Sequence, residues 1–197
     1  ERLEFLGDAV LRLAATEFID QHYPNLPVGR CSSLRAQLVS DRWLTQLGDK
    51  LQLDSFLVLG PKALGDTTAK ATLHADATEA LIGAIYSGSD NNLAPIHQWL
   101  TPHWQQTATD VLATPHRFNG KSILQEWSQA KGLGLPNYTT TEQSSRHGDP
   151  ERFKSHVEVG TELGADGFGG SRKDAEQNAA AEAVESLQKT ENIYFEN

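Results

Sequence analysis

Methionine is absent from the 197-residue chain, and cysteine occurs once, as Cys31. A single cysteine excludes a disulfide framework. No apolar run approaches the roughly 18 residues that a membrane-spanning helix needs, so no membrane partner is expected. The same scarcity of cysteine fits a reducing, cytoplasmic setting. Because the chain opens on Glu1 with no methionine, an N-terminal piece is expected to precede it. Positive charge is short as well: 17 Lys and Arg against 26 Asp and Glu leave a net charge of −9. That balance argues against phosphate binding by the chain as a whole. The shortage is uneven, since residues 1–115 hold 8 basic and 13 acidic side chains whereas residues 116–190 hold 9 and 11. The second part is close to neutral.

What the first part has in plenty is helix-period apolar pattern. Leu3, Leu6, Val10, Leu13 and Ala14 recur at three-to-four spacing, which predicts a helix over residues 3–19 that ends near Tyr23-Pro24. Ser32 or Ser33 is placed to cap a second helix carrying Leu34, Leu38, Leu44 and Leu47, closed by Gly48. Residues 54–72, with Gly60-Pro61 and Gly65, read as turn and loop. A helix dense in Ala, Leu and Ile follows from about Leu73 to Ser87, and another from about Ala94 to Leu112. The first unit, residues 1–113, is therefore expected to be all-α.

Thr114 to Gly120 changes style and marks a linker. Beyond it, Lys121 to Lys131 has helical pattern, Tyr138 to Ser144 is Thr-rich, and Phe153 to Val159 alternates in the strand period. Gly167-Phe168-Gly169-Gly170 then leads into a helix with an Ala175, Ala179, Ala180, Ala183 stripe. The second unit, residues 117–188, reads as a small α+β fold of α-β-β-β-α type, in which the third strand is the faintest. Residues 189–197 are a tail ending in ENIYFEN, either native or an expression linker.

Acids stand where the first helix should bury carbon. Glu1, Glu4 and Asp8 share one helix face beside the apolar stripe. One explanation is an ion-paired, solvated face, with Asp8 and Arg12 at i, i+4. Asp76 and Glu79, one turn apart in the most apolar helix, have no such remedy nearby, because no Lys or Arg lies between Ala71 and Pro115. Acids in apolar surroundings need a partner or a metal. Two acids from each of two helices can build an all-oxygen site for Mg²⁺ or Mn²⁺.

These same residues carry a resemblance. ERLEFLGDAV resembles the signature helix of the ribonuclease III family, Lys70 to Tyr86 resembles its second acidic helix, and GRCSSLRAQLVS, residues 29–40, is similar to the segment between them. The resemblance implies a double-strand-specific endoribonuclease, active in rRNA or mRNA processing. Its products would carry 5′-phosphate and 3′-hydroxyl ends with short 3′ overhangs. It makes Glu4, Asp8, Asp76 and Glu79 the metal-binding acids, holding two Mg²⁺ or Mn²⁺ per active site. Asp8 and Glu79 would weigh most in catalysis, and Glu1 would have a lesser role. Phe5 would enter a socket on a second copy, implying a homodimer. His74 and Thr78 depart from the family pattern, and His74 is read as a packing residue rather than a ligand. The alternative is a catalytically idle double-stranded RNA-binding dimer, although relatives of that kind typically lose an acid and this chain keeps all four.

In the second unit, Arg172 and Lys173 sit in the first turn of the last helix, where the dipole prefers anions. They either share a phosphate with the free backbone N–H groups or form an ordinary Arg172 to Glu176 pair. Residues 119–126, 136–138, 153–159 and 167–180 together resemble a double-stranded RNA-binding domain. By that resemblance Gln125 and Gln129 reach the minor groove and Arg172 and Lys173 contact phosphates. His147 takes a groove role, although it comes one place early in its loop.

Overall fold

The computed structural model describes residues 1–57, 67–146, 149–160 and 163–191. They divide into two compact units, Glu1–Leu112 and Ala113–Asn197.

The first unit is helical throughout its described residues: α1 (Arg2–His22), α2 (Val28–Leu38), α3 (Asp41–Lys50), a short 3-10 turn at Leu53–Ser55, α4 (Thr67–Gly88) and α5 (Ala94–Ala113). The helix expected from Ser32 or Ser33 through Leu47 is two helices. Both serines lie inside α2, and the break comes at Ser40, whose side chain accepts a hydrogen bond from Trp43 N and caps α3. Gly48 does not close a helix either; it is buried within α3. The acidic helix α4 starts at Thr67, inside the stretch read as loop, while residues 58–66 of that stretch fall outside the described residues. Asp90 and Asn91 take positive φ and turn the chain between α4 and α5.

Trp104 of α5 organises the core. It is fully buried, its ring centroid lies 5.4 Å from that of Phe18 and 6.1 Å from that of Trp43, and its indole N–H donates to Leu38 O at 3.2 Å. One side chain thus ties α5 to α1, α2 and α3, with its polar atom satisfied as burial requires.

In the second unit α6 (Pro115–Ala130) precedes β1 (Asn137–Glu142), β2 (Phe153–Val159), β3 (Leu163–Gly169) and α7 (Arg172–Glu191). The three strands form one antiparallel sheet in the order β1-β2-β3. Leu124 of α6, Val157 and Val159 of β2, and Ala179, Ala183 and Val184 of α7 make its core. Most of the expected linker is helix instead. Pro115 opens α6 at its first position, where its missing N–H costs nothing, and the change of style survives as a kink at Asn119 (φ −129°, ψ 24°).

Candidate functional site

The site is built where α1 meets α4. Both helices present glycine at the crossing: a Cβ on Gly7 would lie 1.8 Å from Glu79 O, and one on Gly83 would lie 2.1 Å from Leu3 O. The two backbones are therefore in direct contact, closer than any side chain allows. That contact brings the acids of both helices together. Carboxylate oxygens of Glu4, Asp76 and Glu79 lie within 4.8 Å of one another. The fourth acid, Asp8, is not among these three but stands near enough for its charge to act on Glu79, while its Oδ1 accepts from Arg12 Nε at 2.7 Å, the i, i+4 pair that the sequence allowed. Glu1 precedes α1 and is exposed. His74 is 1% exposed, with Nδ1 2.9 Å from Asp49 Oδ1, so its ring is a packed, partnered one rather than a member of the acid cluster. Phe5, by contrast, is 85% exposed, a large apolar ring with nothing over it in the single chain.

The second unit spreads its expected contacts over two helices. Gln125 and Gln129 are exposed, one turn apart on α6. Lys173 is exposed in the first turn of α7, where Ser171 Oγ accepts from Asp174 N at 3.1 Å and donates to the Asp174 carboxylate at 2.7 Å. Arg172 is turned back over the Phe153 ring, 5.5 Å from its centroid, and donates to Thr140 O at 3.4 Å. In place of the alternative Arg172 to Glu176 pair, Glu176 Oε2 meets Lys121 Nζ of α6 at 2.6 Å. His147 lies outside the described residues.

Comparison with known proteins places both units. The Ribonuclease III domain profile matches residues 1–90, and the double-stranded RNA binding motif matches residues 121–187. Ribonuclease 3 of Prochlorococcus marinus is 50% identical over 187 residues, covering 95% of this chain and 75% of that one. The chain belongs to the ribonuclease III family. Ribonuclease 3 2 of a Nostoc species is 41% identical, over 98% of this chain and 79% of its own length. Among solved structures, Dicer from Pichia stipitis aligns over 94% of this chain and 86% of that one, at 28% identity and a TM-score of 0.48. This ribonuclease III is an endoribonuclease that carries a double-stranded RNA-binding motif.

Within the ribonuclease III site the carboxylates strain against one another. Glu79 is pushed up from the ordinary 4.5 to about 7, first by burial and then by the charges of Asp8, Asp76, Glu4 and Asp41. Asp76 is raised too, by burial first and then by Glu4 and Asp41. A cluster that cannot ionise comfortably on its own is one that a cation would stabilise. The donors are all hard oxygens, three of them already convergent, which fits Mg²⁺ or Mn²⁺ rather than a softer metal. Asp41 is a residue that sequence reasoning missed. It stands in the first turn of α3, where an acid ordinarily reads as a partner of the helix dipole, and only the packing of α3 against α4 brings its charge to the site.

Proposed function

We propose that this ribonuclease III cleaves duplex RNA by divalent-metal-assisted hydrolysis, with Glu4, Asp8, Asp76 and Glu79 as the metal-holding acids. The observation that carries the reading is the convergence of Glu4, Asp76 and Glu79 around a Glu79 carboxyl raised to about 7. Two Mg²⁺ or Mn²⁺ ions bound there would lower the pKa of an attacking water and stabilise the leaving 3′ oxygen, giving 5′-phosphate and 3′-hydroxyl ends. Asp8 remains available to such a site, because its pair with Arg12 is exposed on both sides and surface pairs of this kind are worth about 1 kcal/mol or less. The raised Glu79 carboxyl belongs to the metal-free cluster, and a divalent ion bound there would favour its ionised form.

Substrate is held by the second unit: Gln125 and Gln129 at the minor groove, Arg172 and Lys173 at phosphates, and His147 in a loop role. Phe5 meets a second copy, so the working particle is a homodimer that cuts both strands with a short 3′ stagger. The enzyme acts in the cytoplasm on structured rRNA or mRNA precursors.

The test is a long RNA duplex incubated with the protein in Mg²⁺, in Mn²⁺ and in EDTA, followed by analysis of the 5′ ends. Cutting only with a divalent ion, leaving 5′ phosphates, is the expected result. Binding without cutting under all three conditions would establish the idle dimer instead. Sedimentation at micromolar concentration checks Phe5: the wild type is expected to run as a dimer and Phe5→Asp as a monomer, and a monomeric wild type would remove Phe5 from the interface.

A further inference from the structure

Phe153 opens β2, paired across the sheet with Glu142 of β1, and its ring carries two guanidinium groups rather than one. Arg172 Cζ stands 5.5 Å from the ring centroid and Arg152 Cζ stands 5.2 Å from it. Cations gather on an aromatic face because its quadrupole is negative there. Two of them on one ring nevertheless repel, so the arrangement must be compensated. Arg152 is compensated by a carboxylate, with both Nε and Nη2 lying 2.9 Å from Glu142 Oε1. Arg172 donates to a neutral acceptor, Thr140 O, and is in no ion pair seen among the described residues.

Backbone contacts hold the cluster in place at the mouth of the β1–β2 connection, since Gln143 N and Ser144 N both donate to Arg152 O, at 2.7 and 3.3 Å. The Arg152 and Glu142 side chains are 30% and 42% exposed, so water competes for their pair and its net worth is small. A phosphate offers the Arg152 fork a doubly anionic-oxygen face that a single carboxylate oxygen does not match. The ring thus holds two cations, one of which is paired to the half-exposed Glu142.

We infer that Arg152 and Arg172, aligned by Phe153, form a paired phosphate grip for duplex RNA, and that Glu142 occupies Arg152 as an internal competitor until RNA displaces it. This inference rests on the reading that the second unit binds duplex RNA. Lys173 belongs to that reading, whereas Arg152, Phe153 and Glu142 belong only to the grip.

The test measures binding of the full chain to an RNA duplex of about 20 base pairs, in EDTA so that no strand is cut, across a series of KCl concentrations. Arg152→Gln is expected to weaken binding 5- to 10-fold and to flatten the salt dependence by about one phosphate contact. Glu142→Gln is expected to tighten binding about 3- to 10-fold and to steepen the salt dependence. The double variant is expected to match Arg152→Gln alone, because the gain from Glu142→Gln passes through Arg152. Arg152→Lys keeps the charge without the fork and is expected to fall between Arg152→Gln and wild type. Thermal midpoints within a few degrees of wild type exclude misfolding as the cause. If Lys173→Gln weakens binding while Arg152→Gln and Glu142→Gln leave it unchanged, the grip is overturned and the RNA reading stands. A gain from Glu142→Gln that persists without Arg152 also overturns the grip, since it reduces Glu142 to a bulk charge. Failure of the wild type to bind duplex overturns both.

Discussion

Glu79→Gln is expected to lower the cleavage rate of duplex RNA by about 10² to 10⁴-fold in Mg²⁺, the scale set if the proposed metal site, which would supply several kcal/mol, loses one of its carboxylates. The same change is expected to stabilise the metal-free first unit at alkaline pH. The sign follows from the carboxyl's raised value. Folding lifts Glu79 from 4.5 to about 7, so between those values the folded state holds a proton that the unfolded state has lost. Glu79's own contribution to stability is then most favourable below pH 4.5, declines as pH rises toward 7, and is least favourable above it, where four neighbouring acids face an ionised Glu79. Gln carries no such charge. Because Glu79 is partly open to water, the gain is set below the full linkage value, at a rise of about 2–4 °C in the unfolding midpoint at pH 8. At pH 4 the midpoints of the two proteins should coincide. Mg²⁺ should raise the wild-type midpoint at pH 8 and leave that of Glu79→Gln nearly unmoved. Calorimetry in EDTA and in Mg²⁺ at both pH values checks all of these points, and a destabilised Glu79→Gln at pH 8 without metal would contradict the electrostatic account of the site.

Gly7→Ala should be the most damaging alanine substitution among the described glycines of the first unit. Its Cβ would lie 1.8 Å from the backbone oxygen of Glu79, and a backbone oxygen in a helix cannot turn aside. The helices must separate, at an expected cost of about 3 kcal/mol or more, the upper end of what overpacking does. The separation also pulls Glu4 from Asp76 and Glu79, so whatever folded protein remains should have lost activity. Gly29→Ala is the control, since nothing lies within 4 Å of its Cβ and the residue is inside α2. It should be neutral or stabilise by up to about 1 kcal/mol. Urea titration of both variants beside the wild type gives the comparison.

Where sequence pattern and local structure share a cause, the fold was readable in advance. The stripe from Leu3 to Ala14 and the alternation of Phe153 to Val159 both follow from periodicity, and both appear as α1 and β2. The Ser40 break was hidden because Leu34–Leu38 and Leu44–Leu47 each keep helical spacing on their own side of it, and because Ser32 and Ser33 are equally good caps on paper. β3 was faint because LGADGFG puts glycines at Gly167 and Gly169, where the buried face of a strand ordinarily shows large apolar residues. The acids themselves were legible as an anomaly, since Asp76 and Glu79 have no local cation. What stayed illegible depends on tertiary approach: Asp41 reaching the site from α3, Arg172 lying back on Phe153, and Glu176 choosing Lys121 over its neighbour on α7.

The glycine crossing also separates two properties that usually travel together in an enzyme. With backbone against backbone at Gly7 and Gly83, the spacing between the acid-bearing helices is fixed by covalent dimensions and not by the volume of intervening side chains. Changes elsewhere in the core, around Trp104 or Leu44, can drain stability without moving the acids. Mutational drift in this unit is therefore free to alter how long the protein survives while leaving largely untouched how well each surviving molecule works.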